Sequence, residues 1–145
     1  MRRLHLPFFI FAMLFILTIP FPGDMATSVV PGWHTTVLTP YFLTTIGITL
    51  VLLFVTIAYW RLTRRVNKIN VSFLVSHLLL TIPAVIFVRA PFLFFNITGA
   101  DLTVLNRQIT FTTALTAIIF LLFAVGQTLF AAYYLRTIYF KKATT

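Results

Sequence analysis

The chain has 145 residues, of which 60% are hydrophobic and only 9% are charged, and its mean hydropathy is +1.02. A soluble domain carries about 25% charged residues, so this chain could not cover a globule with polar surface and is predicted to be an integral membrane protein. The net charge of +9 does not indicate nucleic-acid binding, because the basic residues lie in short clusters beside apolar runs, where anionic lipid headgroups would meet them.

The first apolar run predicts a helix over residues 4–19, with Pro7 in its first turn and Pro20 just beyond its end. This helix is near the lower limit of about 17 residues for a membrane span. A cleaved secretory signal is the alternative interpretation. The best cleavage position follows Ala26 and would place an aspartate three residues before the cut, so we expect the segment to be retained.

Three longer apolar runs predict helices over residues 40–60, 71–95 and 109–139. Pro83 lies inside the third helix, where it removes a backbone hydrogen bond and should kink the helix. The fourth helix is longer than the roughly 20 residues of a span, so it is either tilted or extended beyond the bilayer. Small and hydroxyl residues on the second and fourth helices predict that these two pack together. The sequence therefore predicts one all-α domain over 1–145, an integral membrane four-helix bundle.

The basic residues fall on one side of the membrane if the chain crosses it four times with its N-terminus in the cytoplasm. Nine of the eleven then face the cytoplasm: Arg2, Arg3, Arg61, Arg64, Arg65, Lys68, Arg136, Lys141 and Lys142. Asp24 and Asp101 lie on the other side, where Arg89 and Arg107 balance them. Because Lys and Arg in short loops set orientation, both termini are predicted to be cytoplasmic in a bacterial inner membrane, with anionic lipid against the basic groups.

Few residues are candidates for chemistry, since the chain has two acids, three histidines and no cysteine. His34 follows Trp33 just before the second helix. It could donate a hydrogen bond to a quinone headgroup or ligate a haem, or it could be an ordinary interfacial histidine beside a belt tryptophan. Metal and catalytic motifs are missing from the sequence, so we expect neither a metal site nor an enzyme.

His77 lies six residues into the third helix, roughly 9 Å inside the membrane at 1.5 Å per residue. Tyr133 and Tyr134 lie at a similar depth on the fourth helix. An intramembrane ionisable residue indicates function by default, but a neutral imidazole bonded to Ser72, Ser76 or either tyrosine is the structural alternative. His34 and His77 lie near opposite membrane faces, too far apart to ligate one haem.

Arg89 lies in the outer part of the third helix, before Pro91. It is interpreted as a structural pair with Asp24 or Asp101 or as a snorkelling arginine, and alternatively as a substrate-binding group. Gln127 lies deep in the fourth helix and is predicted to join helices by hydrogen bonding.

The segment from Pro31 to Thr36 (PGWHTT), followed by Pro40, Tyr41 and Phe42, resembles a motif of the NrfD/polysulfide-reductase type of membrane subunit. Those subunits exchange electrons with quinol near the outer face, so the resemblance implies a quinone-facing role for His34. Members of that family have eight or more helices, twice the number predicted here.

The start of the second helix and residues 126–134 are similar to segments of haem–copper oxidase subunit I. The histidine pairs that bind metal in that family have no counterpart in the second helix here, so oxygen reduction does not carry over.

Together these features predict a non-catalytic accessory membrane subunit of a quinone-linked respiratory complex, with other membrane subunits as partners and no cofactor bound by this chain alone. A small carrier or channel with a polar pathway through Arg89, His77 and Gln127 is the main alternative. A redox enzyme is the third hypothesis, and it would need a site shared between subunits.

Overall fold

The computed structural model of the chain describes residues 5–20, 40–66, 69–90 and 102–140. Within these ranges the regular structure is helical and no strand occurs, which confirms the all-α prediction. The four helices are α1 (Leu6–Thr18), α2 (Pro40–Arg65), α3 (Val71–Arg89) and α4 (Leu102–Phe140). Three stretches are long and apolar enough to cross a membrane, namely Phe42–Arg65, Val71–Arg89 and Asn106–Tyr139. The described chain therefore has the character of a multi-pass membrane protein.

The first helix is shorter than the predicted 4–19. It begins after His5 and ends at Thr18, because Ile19 precedes Pro20 and takes an extended conformation with ψ 121°. Thirteen residues at 1.5 Å each give a length of about 20 Å, less than the roughly 30 Å hydrocarbon core of a bilayer. The helical part of this segment is thus too short to span a membrane by itself, contrary to the prediction of a full crossing helix.

The other boundaries also differ from their predictions. α2 continues five residues past Trp60, because arginine supports a helix well even where the apolar pattern stops. α3 begins at the predicted Val71, where the Asn70 side chain accepts hydrogen bonds from the next backbone N–H groups. α3 ends at Arg89 instead of 95, since Ala90 stands before a proline and leaves the helical region.

The fourth helix begins at Leu102 instead of 109 and has 39 residues, about 58 Å of helix. This exceeds a bilayer's hydrocarbon thickness by a wide margin, as the sequence predicted for a tilted or extended helix. Pro83 lies inside α3, and the helix continues through it. The predicted kink at this proline stays a prediction.

The chain divides into two compact units, residues 1–67 and 68–145. The first unit is built on the α1–α2 pair and the second on the α3–α4 pair. Within its own unit α2 packs on α1 and α4 packs on α3, and the prediction that α2 and α4 pack together stays a prediction. The small residue Gly47 of α2 faces open space, since a Cβ there would have no atom within 4 Å.

The α1–α2 pair is antiparallel. Phe11 stacks on Tyr59, with ring centroids 4.7 Å apart and both side chains fully buried, while the end of α1 lies beside Thr49. The Thr49 hydroxyl lies 2.7 Å from the backbone carbonyl of Thr18 and 2.7 Å from that of Thr45 in its own helix, so its one proton is shared between them. The bond to Thr18 satisfies one of the carbonyls that a helix leaves without partners at its C-terminus.

Candidate functional site

The α3–α4 pair is also antiparallel, and its aromatic residues fix the register. Phe73 stacks on Tyr133 with ring centroids 4.1 Å apart, and farther along the pair Phe87 meets Phe120 edge-on at 5.7 Å. Between these two contacts lies Gly126 of α4. This register brings the middle of α3 against the middle of α4.

Gly126 allows the two helices to approach closely. A Cβ built at this position would lie 2.9 Å from the Cβ of Leu80 and 3.7 Å from the imidazole of His77. The Cβ of Leu80 is fixed to its backbone and cannot turn aside, so a side chain at position 126 would push α3 away. Small residues play this role in membrane helix packing.

A polar network joins the helices beside this glycine. The Nε2 of His77 lies 3.3 Å from Oε1 of Gln127, and the Gln127 amide nitrogen donates to the Thr81 hydroxyl, also at 3.3 Å. The Thr81 hydroxyl in turn donates to the backbone carbonyl of His77 at 2.7 Å. Since an amide oxygen only accepts, the His77 tautomer that carries a proton on Nε2 completes the ring of donors and acceptors.

Apolar side chains enclose His77 and Thr81, while Gln127 is half-buried. His77 is 2% exposed and Thr81 is fully buried, and the imidazole stacks on Phe130 with ring centroids 4.8 Å apart and 11° between the planes. Buried polar groups are costly unless they are hydrogen-bonded, and these three side chains bond to one another. These hydrogen bonds stabilise one register of α3 against α4.

The sequence suggested Ser72, Ser76, Tyr133 or Tyr134 as partners of His77, whereas the hydrogen bond at Nε2 goes to Gln127. Ser76 donates to the backbone carbonyl of Ser72 in its own helix. Both tyrosines are half-buried and contact aromatic rings. Tyr133 stacks on Phe73, and the ring centroid of Tyr134 lies 6.1 Å from that of Phe130. The helix register, which the sequence does not state, decides this pairing.

Arg89 does not belong to the network. It is the last residue of α3, twelve residues from His77 and therefore about 18 Å away along the helix axis. The aspartates proposed as its partners, Asp24 and Asp101, lie outside the described residues. So do Trp33 and His34, the predicted quinone-facing pair.

Thr81 was missed by the sequence analysis. Its position could have indicated its role, because it lies four residues after His77 and therefore on the same face of α3. Among the residues that the structure describes, no group of three or more histidine or acidic side chains could hold a metal ion. The chemistry available at this site is hydrogen bonding between helices.

No protein-family model matches the chain, and no curated protein or solved structure matches it either.

Proposed function

We propose that this chain is a non-catalytic accessory subunit of a larger membrane complex, and that the complex is a quinone-linked respiratory one. The observation that carries the accessory role is a contrast within the α3–α4 pair. Its buried polar side chains bond to one another, while much of its apolar surface is left exposed.

The exposed surface is a flank of α4. In the most apolar stretch of this helix 17% of the residues are buried, compared with 33% in α3. Large exposed apolar side chains follow one another along it at spacings of three, four or seven residues: Phe111, Ile118, Leu121, Val125 and Leu129. An extended apolar flank on a membrane helix fits lipid or a neighbouring subunit, as an accessory role requires.

A carrier or channel would instead need Arg89, His77 and Gln127 along one continuous wet pathway. His77 and Gln127 are hydrogen-bonded to each other among packed aromatic rings, and Arg89 lies about 18 Å along α3 from His77. These distances favour the accessory role over transport.

The orientation that we propose places both termini in the cytoplasm. The antiparallel α1–α2 pair puts the start of α1 at the same end as Arg65, opposite Pro40. The link from Arg65 to Val71 reaches about 20 Å when fully extended, too short to cross a bilayer core of about 30 Å. In this proposal α3 starts on the side of the membrane where α2 ends, and the positive-inside rule assigns this side to the cytoplasm of a bacterial inner membrane.

The respiratory assignment rests on the resemblance of residues 31–36 and 40–42 to quinol-interacting subunits. In this proposal Trp33 and His34 border a quinone-accessible surface that a partner subunit completes. The chain itself holds no cofactor.

Site-specific crosslinking in the native membrane tests the accessory role. A photo-crosslinking amino acid at Leu121, 64% exposed on the flank, is expected to trap a partner subunit. The same group at Phe123, 7% exposed on the same helix, is the matched control and is expected to trap none. Equal capture at both positions, or capture at neither, would count against a partner on this flank.

Purification in mild detergent, with a visible spectrum and quinone extraction, tests the respiratory assignment. Oxidase or dehydrogenase subunits that co-purify would support it. A colourless, quinone-free homo-oligomer would overturn it and leave the membrane architecture untouched.

A further inference from the structure

The last turns of α2 have two faces of opposite character. One face packs inward and includes Tyr59, Leu62 and Thr63, of which the first two are completely buried. The other face is exposed and consists of Trp60, Arg61, Arg64 and Arg65. We call these four residues the basic face. The buried side chains hold this end of the helix in place, so the basic face is presented in a fixed position.

The spacing of the basic face puts its members side by side. Residues three and four apart are neighbours on a helix surface, so Arg61 lies beside both Arg64 and Arg65, and Arg64 lies beside Trp60. The guanidinium carbon of Arg64 lies 4.2 Å from the centre of the Trp60 ring. A guanidinium over an aromatic face keeps its N–H groups available for an anion at the edge of the ring.

The three positive charges of the basic face favour the binding of an anion. Three arginines occur within five residues, and the only acids of the chain are at positions 24 and 101. Among the described residues there is no carboxylate to neutralise them. Guanidinium groups bind phosphate through paired hydrogen bonds, so a phosphate group is the ligand that this chemistry fits best.

An exposed apolar stripe leads away from the basic face toward the middle of α2. It consists of Ile57, Phe54 and Leu50, which are 39%, 69% and 50% exposed. Their spacings of four and three residues continue the line of Arg61, so the stripe runs directly below the arginines. From Arg61 to Leu50 it is about 16 Å long, the scale of an acyl chain rather than of a small anion.

We propose that this surface is a binding site for one anionic phospholipid. The headgroup phosphate lies against Arg61, Arg64 and Arg65, Trp60 sits at the boundary between headgroup and hydrocarbon, and an acyl chain follows the apolar stripe. A free phosphate would use the arginines alone and would leave the stripe without a role. The site does not depend on the accessory role or on a respiratory partner.

Trp60 reports on the site directly. The chain has two tryptophans, so the Trp33→Phe variant of the full chain leaves Trp60 as the only one. This variant is reconstituted in phosphatidylcholine vesicles that contain brominated phosphatidylglycerol or, separately, brominated phosphatidylcholine at the same mole fraction. We expect the anionic lipid to quench Trp60 with a relative association constant higher by on the order of fivefold.

Single substitutions distinguish a specific lipid-binding site from a general attraction of anionic lipid to the positively charged protein. Arg64→Gln is expected to bring the ratio close to one, whereas Arg136→Gln, the loss of the same charge from an exposed position on α4, is expected to leave it unchanged. Protease accessibility of the vesicles confirms that each variant inserts in the same orientation. Equal loss of selectivity in both variants, or no selectivity in the parent, would overturn the site.

A competition arm distinguishes a lipid from a free anion. Inorganic phosphate is added at constant ionic strength, balanced with sodium chloride. We expect the preferential quenching by brominated phosphatidylglycerol to persist, because the acyl chain holds the lipid on the stripe. Displacement by phosphate alone would show that the arginines take a small anion and would overturn the lipid assignment.

Discussion

The α1–α2 pair and the α3–α4 pair are both antiparallel, yet different side chains join them. In the first pair an aromatic stack fills the contact, and a threonine of α2 closes the backbone end of α1. In the second pair a glycine brings the helices close, and a histidine, a glutamine and a threonine bond across the contact.

The two pairs differ in the interactions that set their register. α1 ends beside Thr49, nine residues inside α2, so its last carbonyls come to lie within the apolar length of its partner and need donors there. α3 also ends inside the length of its partner, since Arg89 is two residues past Phe87, which meets Phe120 of α4. Lipid is as apolar as a leucine side chain, so apolar contacts alone would not fix the register of two membrane-spanning helices. In the α3–α4 pair, hydrogen bonds and the close contact at the glycine fix it.

The largest effect is expected where the α3–α4 contact is tightest. Gly126→Leu should destabilise the protein by about 3 kcal/mol or more, because Leu80 cannot yield without moving α3. Gly47→Leu is the matched control, since the same side chain enters open space, and it should change stability by less than about 0.5 kcal/mol. Unfolding by SDS in mixed micelles measures both. Similar losses in the two variants would show that α4 is not held by close approach.

The aromatic stack of the other pair should come next. Phe11→Ala should cost about 2 kcal/mol, less than the roughly 3–5 kcal/mol of a soluble core, because the unpacked ring would otherwise lie in lipid rather than water. Phe9→Ala removes the same ring from an exposed position of α1 and should have little effect. A large loss at Phe9 as well would mean that α1 packs by another face.

The polar network should give a smaller and non-additive effect. Gln127→Leu removes the partner of the buried His77 Nε2, and His77→Leu removes the partner of the half-buried Gln127 amide oxygen. Together they remove both ends of one bond. A double-mutant cycle in the same micelles should give a coupling energy of about 0.6–1.7 kcal/mol, the range for such bonds in membranes. Strict additivity would show that the two side chains do not act as a pair.

For α2 and α3 the sequence predicted the helix starts better than the helix ends. Pro40 and Asn70 mark the beginnings of α2 and α3 by local chemistry, a proline at a first turn and an asparagine cap. The predicted ends followed the apolar pattern, which neither stops a helix at Trp60 nor carries one past Ala90. Apolar runs report burial in lipid, whereas caps and prolines set the limits of the backbone.

The sequence predicted two residues of the candidate site but not the hydrogen bond between them. His77 and Gln127 stood out as polar residues inside apolar runs, but their pairing depends on which helices are neighbours and on their register. The sequence favoured α2 as the partner of α4 from its small residues. Gly126 lies against Leu80 of α3, where a larger side chain would not fit. The local sequence does not indicate which helix a glycine contacts.

The smallest effect is expected at the closing bond of the α1–α2 pair. Thr49→Val keeps the shape of the side chain and removes the hydroxyl that donates to the carbonyl of Thr18, so about 0.6 kcal/mol should be lost. Thr113→Val is the matched control, because its hydroxyl serves only the carbonyl of Ile109 in its own helix. Hydrogen exchange of the backbone at the end of α1 should speed up in the first variant alone. If exchange there is unchanged, α2 does not close the end of α1, and the short helix must be held by its aromatic stack.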